Sequence, residues 1–481
     1  MTNWMDETRI AFDNVVDNVQ SVFTPNIRLG VTGLSRAGKT VFITSLIHQL
    51  MEGNNLPLFA PLAEGRIIGA KLTRLPNPAI PRFAFEDHLN ALTSKDRFWP
   101  QSTRQIAELR LTIRYQSASW VGGFTGPQEL NIDIVDYPGE WLLDLPLLNK
   151  SYAEWSTDAF ERASEPARQE LAKDWKTKSN AINPDQELNE KQAQTLADSF
   201  KAYLANCRED AHALSALPPG RFLMPGDLEG SPALTFAPLR PQSGTKPNNS
   251  FCATMEKRYE AYKDLVVRPF FRDHFARLDR QIVLVDTLAA LNAGPAAVKD
   301  LQVALSEILQ CFRAGANNIF ASLFSTKIDK ILFASTKADH LHHESHNQLE
   351  LILNHLVSNA ARDAQYKGAS TSSVALASVR ATREGEVDHE GELLKTIIGV
   401  PREGESLGDK TYNGETEIAL FPGELPQKPE SVFDEDAPHI GQLKFLRFRP
   451  PMPQTTETGA IKLPHIRLDR AIDFLIGDKL K

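Results

Sequence analysis

The sequence lacks the features that typify secreted and membrane-spanning proteins. It contains only three cysteines in 481 residues, without metal-ligand spacing, so we expect a reducing compartment. No 18-residue apolar window is free of charge; the best, around residues 282–298, contains Asp286 and also Pro295. The N-terminus carries acidic residues where a secretory signal has a basic patch and an apolar core. We therefore predict neither a signal peptide nor a membrane-spanning helix.

An excess of positive charge is also missing. Lys and Arg number 53 against 61 Asp and Glu, which gives a formal net charge of −8. This balance argues against a nonspecific nucleic-acid-binding protein and gives no electrostatic reason for binding anionic membranes. Hydrophobic residues (42%) and charged residues (24%) are at globular levels. We expect a cytoplasmic protein without a nucleic-acid partner, and peripheral attachment to the inner membrane stays open.

The most informative motif is a phosphate-binding loop, Gly-Leu-Ser-Arg-Ala-Gly-Lys-Thr. It follows an apolar run (27–31) that predicts a strand and precedes a run (41–47) that predicts the start of a helix. In this setting backbone N–H groups converge on phosphates at a helix N-terminus. Lys39 would reach the β- and γ-phosphates, and the Thr40 hydroxyl would bind Mg²⁺. The alternative is a chance match. The predicted nucleotide-binding residues here are Gly33, Ser35, Arg36, Ala37, Gly38, Lys39, Thr40 and Val41.

Strands alternate with helices along much of the chain. A Gly/Pro turn joins two predicted strands, 107–115 and 129–135, into an antiparallel hairpin. Residues 142–275 read as mainly helical, with a Pro/Gly-rich loop at 218–250. Further predicted strands are 281–285, 330–335 and 373–377, and further predicted helices are 296–312, 348–361 and 468–480. We predict an α/β fold with a mostly parallel sheet, one antiparallel edge strand and an inserted, mainly α-helical domain.

Two later segments follow predicted strands. The first segment is Asp136-Tyr137-Pro138-Gly139. Its Asp136 carboxylate could hold the Mg²⁺ water shell, and its Gly139 N–H could contact a γ-phosphate. The alternative interpretation is a simple turn after the strand. In Thr336-Lys337-Ala338-Asp339, Asp339 could accept both N–H donors of a guanine edge, with the Lys337 stem over the base. Adenine lacks that pair of donors.

The prediction of guanine recognition has two qualifications. Thr336 stands where Asn is usual, which predicts weaker base affinity. A helix N-cap at Thr336 or Asp339 is the alternative interpretation. At the end of the last strand, Ser378 and Val379 could offer backbone N–H groups to the guanine O6. The predicted cofactors are GTP or GDP and Mg²⁺.

These motifs resemble the G1, G3 and G4 elements of P-loop GTPases. The loop, the Asp-Tyr-Pro-Gly-Glu-Trp run and the large helical insertion are similar to the YcjX-like family of bacterial stress-associated P-loop NTPases, over almost the whole chain. The resemblance implies a P-loop NTPase fold with a GTPase-like core, a role in stress response and a protein partner of the envelope-stress or membrane kind. That family is often labelled ATPase from the loop alone, so the choice of guanine depends on Asp339.

The GTPase resemblance also implies catalytic roles. Thr103, which precedes the hairpin, would bind Mg²⁺ when a γ-phosphate is present, so Thr40, Thr103 and Asp136 are the predicted metal ligands. Glu140 stands where many GTPases place a water-orienting Gln, which predicts slow hydrolysis. The predicted catalytic set is Lys39, Thr103, Gly139 and Glu140. Arg97 and Arg104 are either arginine fingers acting in cis or ordinary surface charges.

Four histidines, His340, His342, His343 and His346, lie near a helix start without H-E-x-x-H spacing. We expect a solvated helix start there; weak adventitious metal binding is the alternative. The predicted domain organisation is an N-terminal helix (1–23), a GTPase core in two parts (24–141 and 276–385), a helical insertion (142–275), a polar excursion with a hairpin (386–450) and a C-terminal segment with a helix (451–481).

The predicted function is a nucleotide-controlled conformational switch with slow, Mg²⁺-dependent GTP hydrolysis. The helical insertion directly after Gly139 would be its output. Two alternatives stay open: an ATP-using NTPase or kinase, and a scaffold that binds nucleotide without hydrolysing it.

Overall fold

The computed structural model describes residues 24–34, 36–53, 55–75, 80–101, 103–118, 126–240, 247–311, 328–366, 368–389, 391–434, 443–456 and 459–481. The predicted N-terminal helix (1–23), Ser35 and most of the predicted hairpin turn lie outside the described residues.

A seven-stranded sheet forms the centre of the molecule. Its order is β2-β3-β4-β1-β5-β6-β7. Strand β1 pairs in parallel with β4 and β5, and the parallel pairing continues through β6 to β7. The predicted α/β fold with a mostly parallel sheet is confirmed. The strands are β1 (Asn26–Gly33), β2 (Ile67–Thr73), β3 (Ala107–Tyr115), β4 (Gln128–Asp136), β5 (Arg280–Val285), β6 (Lys330–Ser335) and β7 (Ser370–Ala375).

The edge of the sheet differs from the prediction. β3 runs antiparallel to β4, but it is second from the edge because β2 pairs with its other side. The sequence pattern predicts no strand over residues 67–73. None of the seven residues of β2 is buried, and its register shifts between Ile67 and Gly69. The strand therefore lacks the alternation of apolar and polar residues that reveals a half-buried strand.

Helices cover both faces of the sheet. On one face Ile27, Leu29 and Val31 of β1 share an apolar cluster with α1 (Lys39–Glu52) and the C-terminal helix α13 (Leu468–Ile476). Because side chains alternate along a strand, these three residues point to the same side. The other face packs in a second cluster with α10 (Thr287–Ala293), α11 (Pro295–Gln310) and α12 (His346–Tyr366). Two short helices, α2 (Ala60–Ala63) and α3 (Phe85–Thr93), lie between β2 and its neighbours in sequence.

Residues between β4 and β5 are mainly helical. A 3₁₀ segment, Gly139–Asn149, comes first, and Ser151 begins α4 with a capping box to Glu154. In the described part of residues 209–250 the chain forms short 3₁₀ turns and no longer helix. The helices are α4 (Tyr152–Arg162), α5 (Pro166–Gln169), α6 (Lys173–Asn180), α7 (Glu190–Arg208), α8 (Phe251–Tyr262) and α9 (Arg268–Asp273), with a π turn at Lys263–Val267. The division of the chain into domains stays a prediction.

Beyond β7 the chain forms small antiparallel sheets. One has the order β12-β9-β8, and two others are strand pairs. The strands are β8 (Arg383–His389), β9 (Glu392–Gly399), β10 (Ser406–Leu407), β11 (Lys410–Thr411), β12 (Ile418–Leu420), β13 (Gln454–Thr455) and β14 (Ile461–Lys462). Across the ranges described above, no helix has both the length and the apolarity needed to cross a membrane.

Candidate nucleotide-binding site

The phosphate-binding loop connects β1 to α1. Gly38 has a φ of 81°, in the left-handed region that favours glycine, and immediately precedes the first residue of α1. Gly33 is closely packed, since a Cβ there would lie 2.7 Å from the Leu284 carbonyl oxygen. In the described part of the loop no side chain caps the N-terminus of α1, so the first backbone N–H groups of this helix have no side-chain acceptor.

A cavity of about 750 Å³ lies at the carboxyl ends of the parallel strands. Ligands of open α/β sheets bind at this edge. Thirteen predicted site residues from separate parts of the chain line it together: Arg36, Ala37, Gly38, Lys39, Thr40, Val41, Thr103, Glu140, Thr336, Lys337, Asp339, Ser378 and Val379. Gly33, Asp136 and Gly139 contact residues of this lining without belonging to it.

Gly139 lies against the phosphate-binding loop. A Cβ on Gly139 would fall 1.7 Å from the Gly33 carbonyl oxygen and 2.8 Å from Lys39 Nζ. The buried Lys39 donates a hydrogen bond from Nζ to that same carbonyl oxygen at 3.1 Å. Only glycine fits at position 139, and its backbone lies close to the lysine predicted to bind the phosphates.

A carboxylate and two hydroxyls form the candidate metal centre. Thr103 Oγ1 donates to Asp136 Oδ2 at 2.6 Å and lies 3.3 Å from Thr40 Oγ1. Burial raises the pKa of Asp136 to about 6, against the opposing effects of the Thr103 hydroxyl and the Lys39 charge. Asp136 Oδ1 is buried and has no hydrogen-bond partner among the described residues. This set of hard oxygen donors with one unpartnered carboxylate oxygen fits Mg²⁺.

The predicted base-recognition segment follows β6. Lys337 has a φ of 61°, and its ammonium group forms an ion pair with Asp286, at the end of β5. Asp339 is buried, and its Oδ2 accepts a hydrogen bond from the Ala381 N–H at 2.8 Å. The 3₁₀ turn Ala338–His340 has no side-chain cap. The Asp339 carboxylate is thus held by a distant backbone group, not by a local N-cap.

The residues that follow Gly139 pack against the chain between α7 and α8. A Cβ on Gly220 would lie 1.6 Å from the Glu140 carbonyl oxygen. Trp141 donates from Nε1 to the Met224 carbonyl at 2.8 Å, and the Arg221 guanidinium lies 3.1 Å from the centre of the Trp141 ring. This close packing couples the segment after β4 to the helical region.

Positive charge gathers near the phosphate-binding loop. Burial and the charges of Arg208 and Arg447 lower the pKa of Arg36, opposed by Glu209 and Glu140. Asp210 forms ion pairs with both Arg36 and Arg447. Guanidinium groups beside a lysine and a helix N-terminus form a favourable environment for a phosphate chain.

Comparison with known proteins assigns the family. Residues 27–480 match the model of the YcjX-like family, DUF463. The chain belongs to the YcjX-like family. It is 36% identical over 469 residues to the protein named Ras-like GTPase YcjX of Escherichia coli strain K12, a match covering 95% of this chain and 96% of that protein. A second protein of this name, from Shewanella oneidensis strain MR-1, is 35% identical over 476 residues, with 95% of each chain covered. The predicted family resemblance is confirmed.

In this YcjX-like chain the two predicted arginine-finger candidates are not part of the cavity lining. Arg97 donates from Nε to the Pro450 carbonyl at 2.7 Å, and Arg104 is exposed. The cavity instead has charged residues outside the predicted set: Arg208, Asp210, Asp286, Arg402, Glu405 and Arg447. Asp286 could have been found, because it directly follows a predicted strand of the same sheet. The others come from segments without a motif.

Of the four histidines of this family member, His342 and His343 lie side by side, with their ring centres 4.3 Å apart. His346 Nε2 contacts the Ala338 carbonyl at 2.9 Å, and His343 Nδ1 lies 2.7 Å from Glu384 Oε2. The ligand atoms of His342, His343 and Glu344 lie within 4.8 Å of one another, and Glu344 pairs with Lys395. Each member of this group thus already faces a partner outside it, since His342 Nε2 also lies 4.0 Å from Glu384 Oε2.

Proposed function

We propose that this YcjX-like protein binds GTP and GDP and hydrolyses GTP in a slow, Mg²⁺-dependent reaction that switches its conformation. The observation that carries the proposal is that one cavity brings together Lys39, the Thr40 and Thr103 hydroxyls and the buried Asp339 carboxylate. Asp136, the third candidate metal ligand, lies behind the lining, bonded to Thr103. The names of the two relatives, Ras-like GTPase, support the same assignment.

The phosphate end of the proposed site is Lys39 with the N-terminus of α1. Thr40, Thr103 and Asp136 would hold Mg²⁺, which when bound withdraws charge from phosphate oxygens. Glu140 would orient the attacking water. A carboxylate next to a polyanion is electrostatically unfavourable, and this is the reason to expect slow turnover.

The base end of the proposed site is Asp339 with Lys337. Asp339 would accept the two N–H donors of guanine, and its place is fixed by the Ala381 N–H. Lys337 would lie along the base plane, held by Asp286. Ser378 and Val379 line the same cavity and would offer backbone N–H groups to O6.

The proposed switch begins at Gly139. Its backbone would contact the γ-phosphate, and the following Glu140 and Trp141 contact residues 220–224 of the helical region. Loss of the γ-phosphate would move this segment and thereby the helices. We propose residues 142–275 as an inserted output domain between two core parts, 24–141 and 276–385. Its partner would be an envelope-stress or membrane protein, with the chain in the cytoplasm or at the inner membrane.

The nucleotide retained by the purified protein tests the assignment. After gentle denaturation, chromatography should find GDP or GTP in the supernatant. With added Mg²⁺ and GTP, the protein should release phosphate at well under one turnover per second, and EDTA should stop it. Retained adenine nucleotide, or no phosphate release from GTP, would contradict the proposal.

A further inference from the structure

Arg208 brings a guanidinium from the helical region to the phosphate end of the cavity. It is the last residue of α7, and its side chain is 22% exposed. Nη1 lies 3.4 Å from Oε1 of the buried Glu140. Both residues line the cavity together with Lys39 and Thr103. A residue more than sixty positions from any nucleotide-binding motif thus lies beside the group proposed to orient water.

The chain that follows Arg208 is held in place by hydrogen bonds to Cys207 and Asp300. Leu214 donates its N–H to the Cys207 carbonyl at 3.1 Å, which closes the turn after α7. The Ser215 and Ala216 N–H groups both donate to Asp300 Oδ2, at 2.5 and 2.8 Å. Asp300 in turn forms an ion pair with the fully buried Arg168. Breaking a buried ion pair is costly, so this arrangement fixes where the end of α7 lies.

The Arg208 guanidinium is only loosely held. Within the described residues its side chain forms the one ion pair with Glu140 and no hydrogen bond. It is close enough to Arg36 to lower the pKa of that residue. Like charges held together at a cavity are unfavourable unless an anion joins them. The five N–H donors of Arg208 are therefore available to a polyanionic ligand.

We propose that Arg208 is a catalytic residue of the GTP hydrolysis proposed above, acting within its own chain. The inference rests on that proposed function. Water forms a bond to the γ-phosphorus while the bond to the β–γ bridging oxygen breaks; the bond electrons stay with GDP, and the water proton passes to phosphate or solvent. Arg208 stays protonated, leaves Glu140 and contacts the phosphoryl oxygens on which charge develops.

This assignment places one catalytic group on the helical region and the others on the sheet. Arg208 contacts the phosphates only while the end of α7 stays at the cavity. A movement of the helical region away from the sheet would therefore slow hydrolysis without removing bound nucleotide. The rate would then depend on how a bound protein holds α7.

The test compares Arg208→Ala and Arg208→Lys with the wild-type protein in single-turnover GTP hydrolysis with Mg²⁺. We expect Arg208→Ala to lose about 10³-fold in rate. Arg208→Lys should stay well below wild type, because an ammonium group cannot form a bidentate contact. GDP affinity should stay within about threefold of wild type, whereas affinity for GDP with aluminium fluoride should fall by the same factor as the rate. Added guanidinium ion should restore part of the rate of Arg208→Ala.

Arg258→Ala is the matched control. Arg258 is also 22% exposed and pairs with Glu190 at the other end of α7, at 2.5 Å, outside the cavity. Its loss should leave the hydrolysis rate unchanged. The inference is wrong if wild-type protein hydrolyses GTP and Arg208→Ala does so equally fast, or if both alanine variants slow it alike. An absence of turnover in the wild-type protein would instead refute the proposed function.

Discussion

Gly139 lies so close to Gly33 that a methyl group on Gly139 would come within 1.7 Å of the Gly33 carbonyl oxygen. One glycine ends β1 and the other follows β4, the strand paired in parallel with it. The contact joins the phosphate-binding loop to the segment that leads into the helical region. In the proposed switch, a change at the phosphates would therefore reach residue 139 through backbone atoms.

Gly139→Ala tests this contact. The added Cβ cannot be accommodated by a side-chain movement, because it meets backbone, so the strands must shift. We expect a loss of about 1–3 kcal/mol in the free energy of unfolding and weaker GTP binding, measured by denaturant titration and calorimetry. Gly69→Ala is the control, since a Cβ there meets nothing within 4 Å. Equal stability of the two variants would contradict the close packing.

The Asp136→Asn substitution should weaken Mg²⁺ binding without lowering the thermal stability of the protein. The carboxylate is fully buried with one oxygen unpartnered among the described residues, so the neutral amide removes a desolvation cost. Thermal stability without nucleotide should be unchanged or higher at pH 7.5. The increase in GTP affinity on adding Mg²⁺ should fall about tenfold or more, because the charged ligand is lost. A variant that keeps the full Mg²⁺ effect would show that Asp136 does not hold the ion.

The buried Asp144 should make stability depend on pH. Burial raises its pKa to about 7, although its carboxylate accepts the Gly220 N–H at 2.8 Å. The unfolded chain releases this proton near pH 4, so between pH 4 and 7 the folded state binds more protons and stability falls as pH rises.

Asp144→Asn should remove this dependence. The variant should gain stability over wild type from about pH 5 upward and level off above about pH 8, by at most about 4 kcal/mol. The measurement is urea unfolding of both proteins across that range. Asp198→Asn, on an exposed part of α7, serves as control and should show no such trend. A difference that stays constant with pH would contradict the titration of Asp144.

The Asp286→Asn substitution should weaken nucleotide binding without changing the rate of GTP hydrolysis. The ion pair with Lys337 is lost while the amide oxygen can still accept the Ala289 N–H that caps α10. We expect GTP and GDP affinities to fall about three- to tenfold, with the hydrolysis rate at saturating GTP unchanged. A lower saturated rate with normal affinity would place Asp286 in the reaction instead.

The sequence predicted those parts of the fold and site that local patterns encode. Six of the seven sheet strands are apolar or alternating runs, and the phosphate-binding loop is a contiguous motif. β2 was missed because an edge strand without a buried residue has no periodic signal. Arg208 and Arg447 were missed for another reason: their place at the cavity depends on how distant segments pack. The Arg168–Asp300 ion pair that fixes the end of α7 joins positions 132 residues apart.

Calorimetric titration of GTP and ATP into wild-type protein and the Asp339→Asn variant tests the central claim most directly. Wild-type protein should bind GTP at least about tenfold more tightly than ATP, because only guanine supplies two N–H donors to Asp339. The variant should lose about 10²-fold in GTP affinity and gain affinity for xanthosine triphosphate, whose carbonyl accepts from the new amide. Tight ATP binding with indifference to GTP, or a variant that still prefers GTP, would contradict the account.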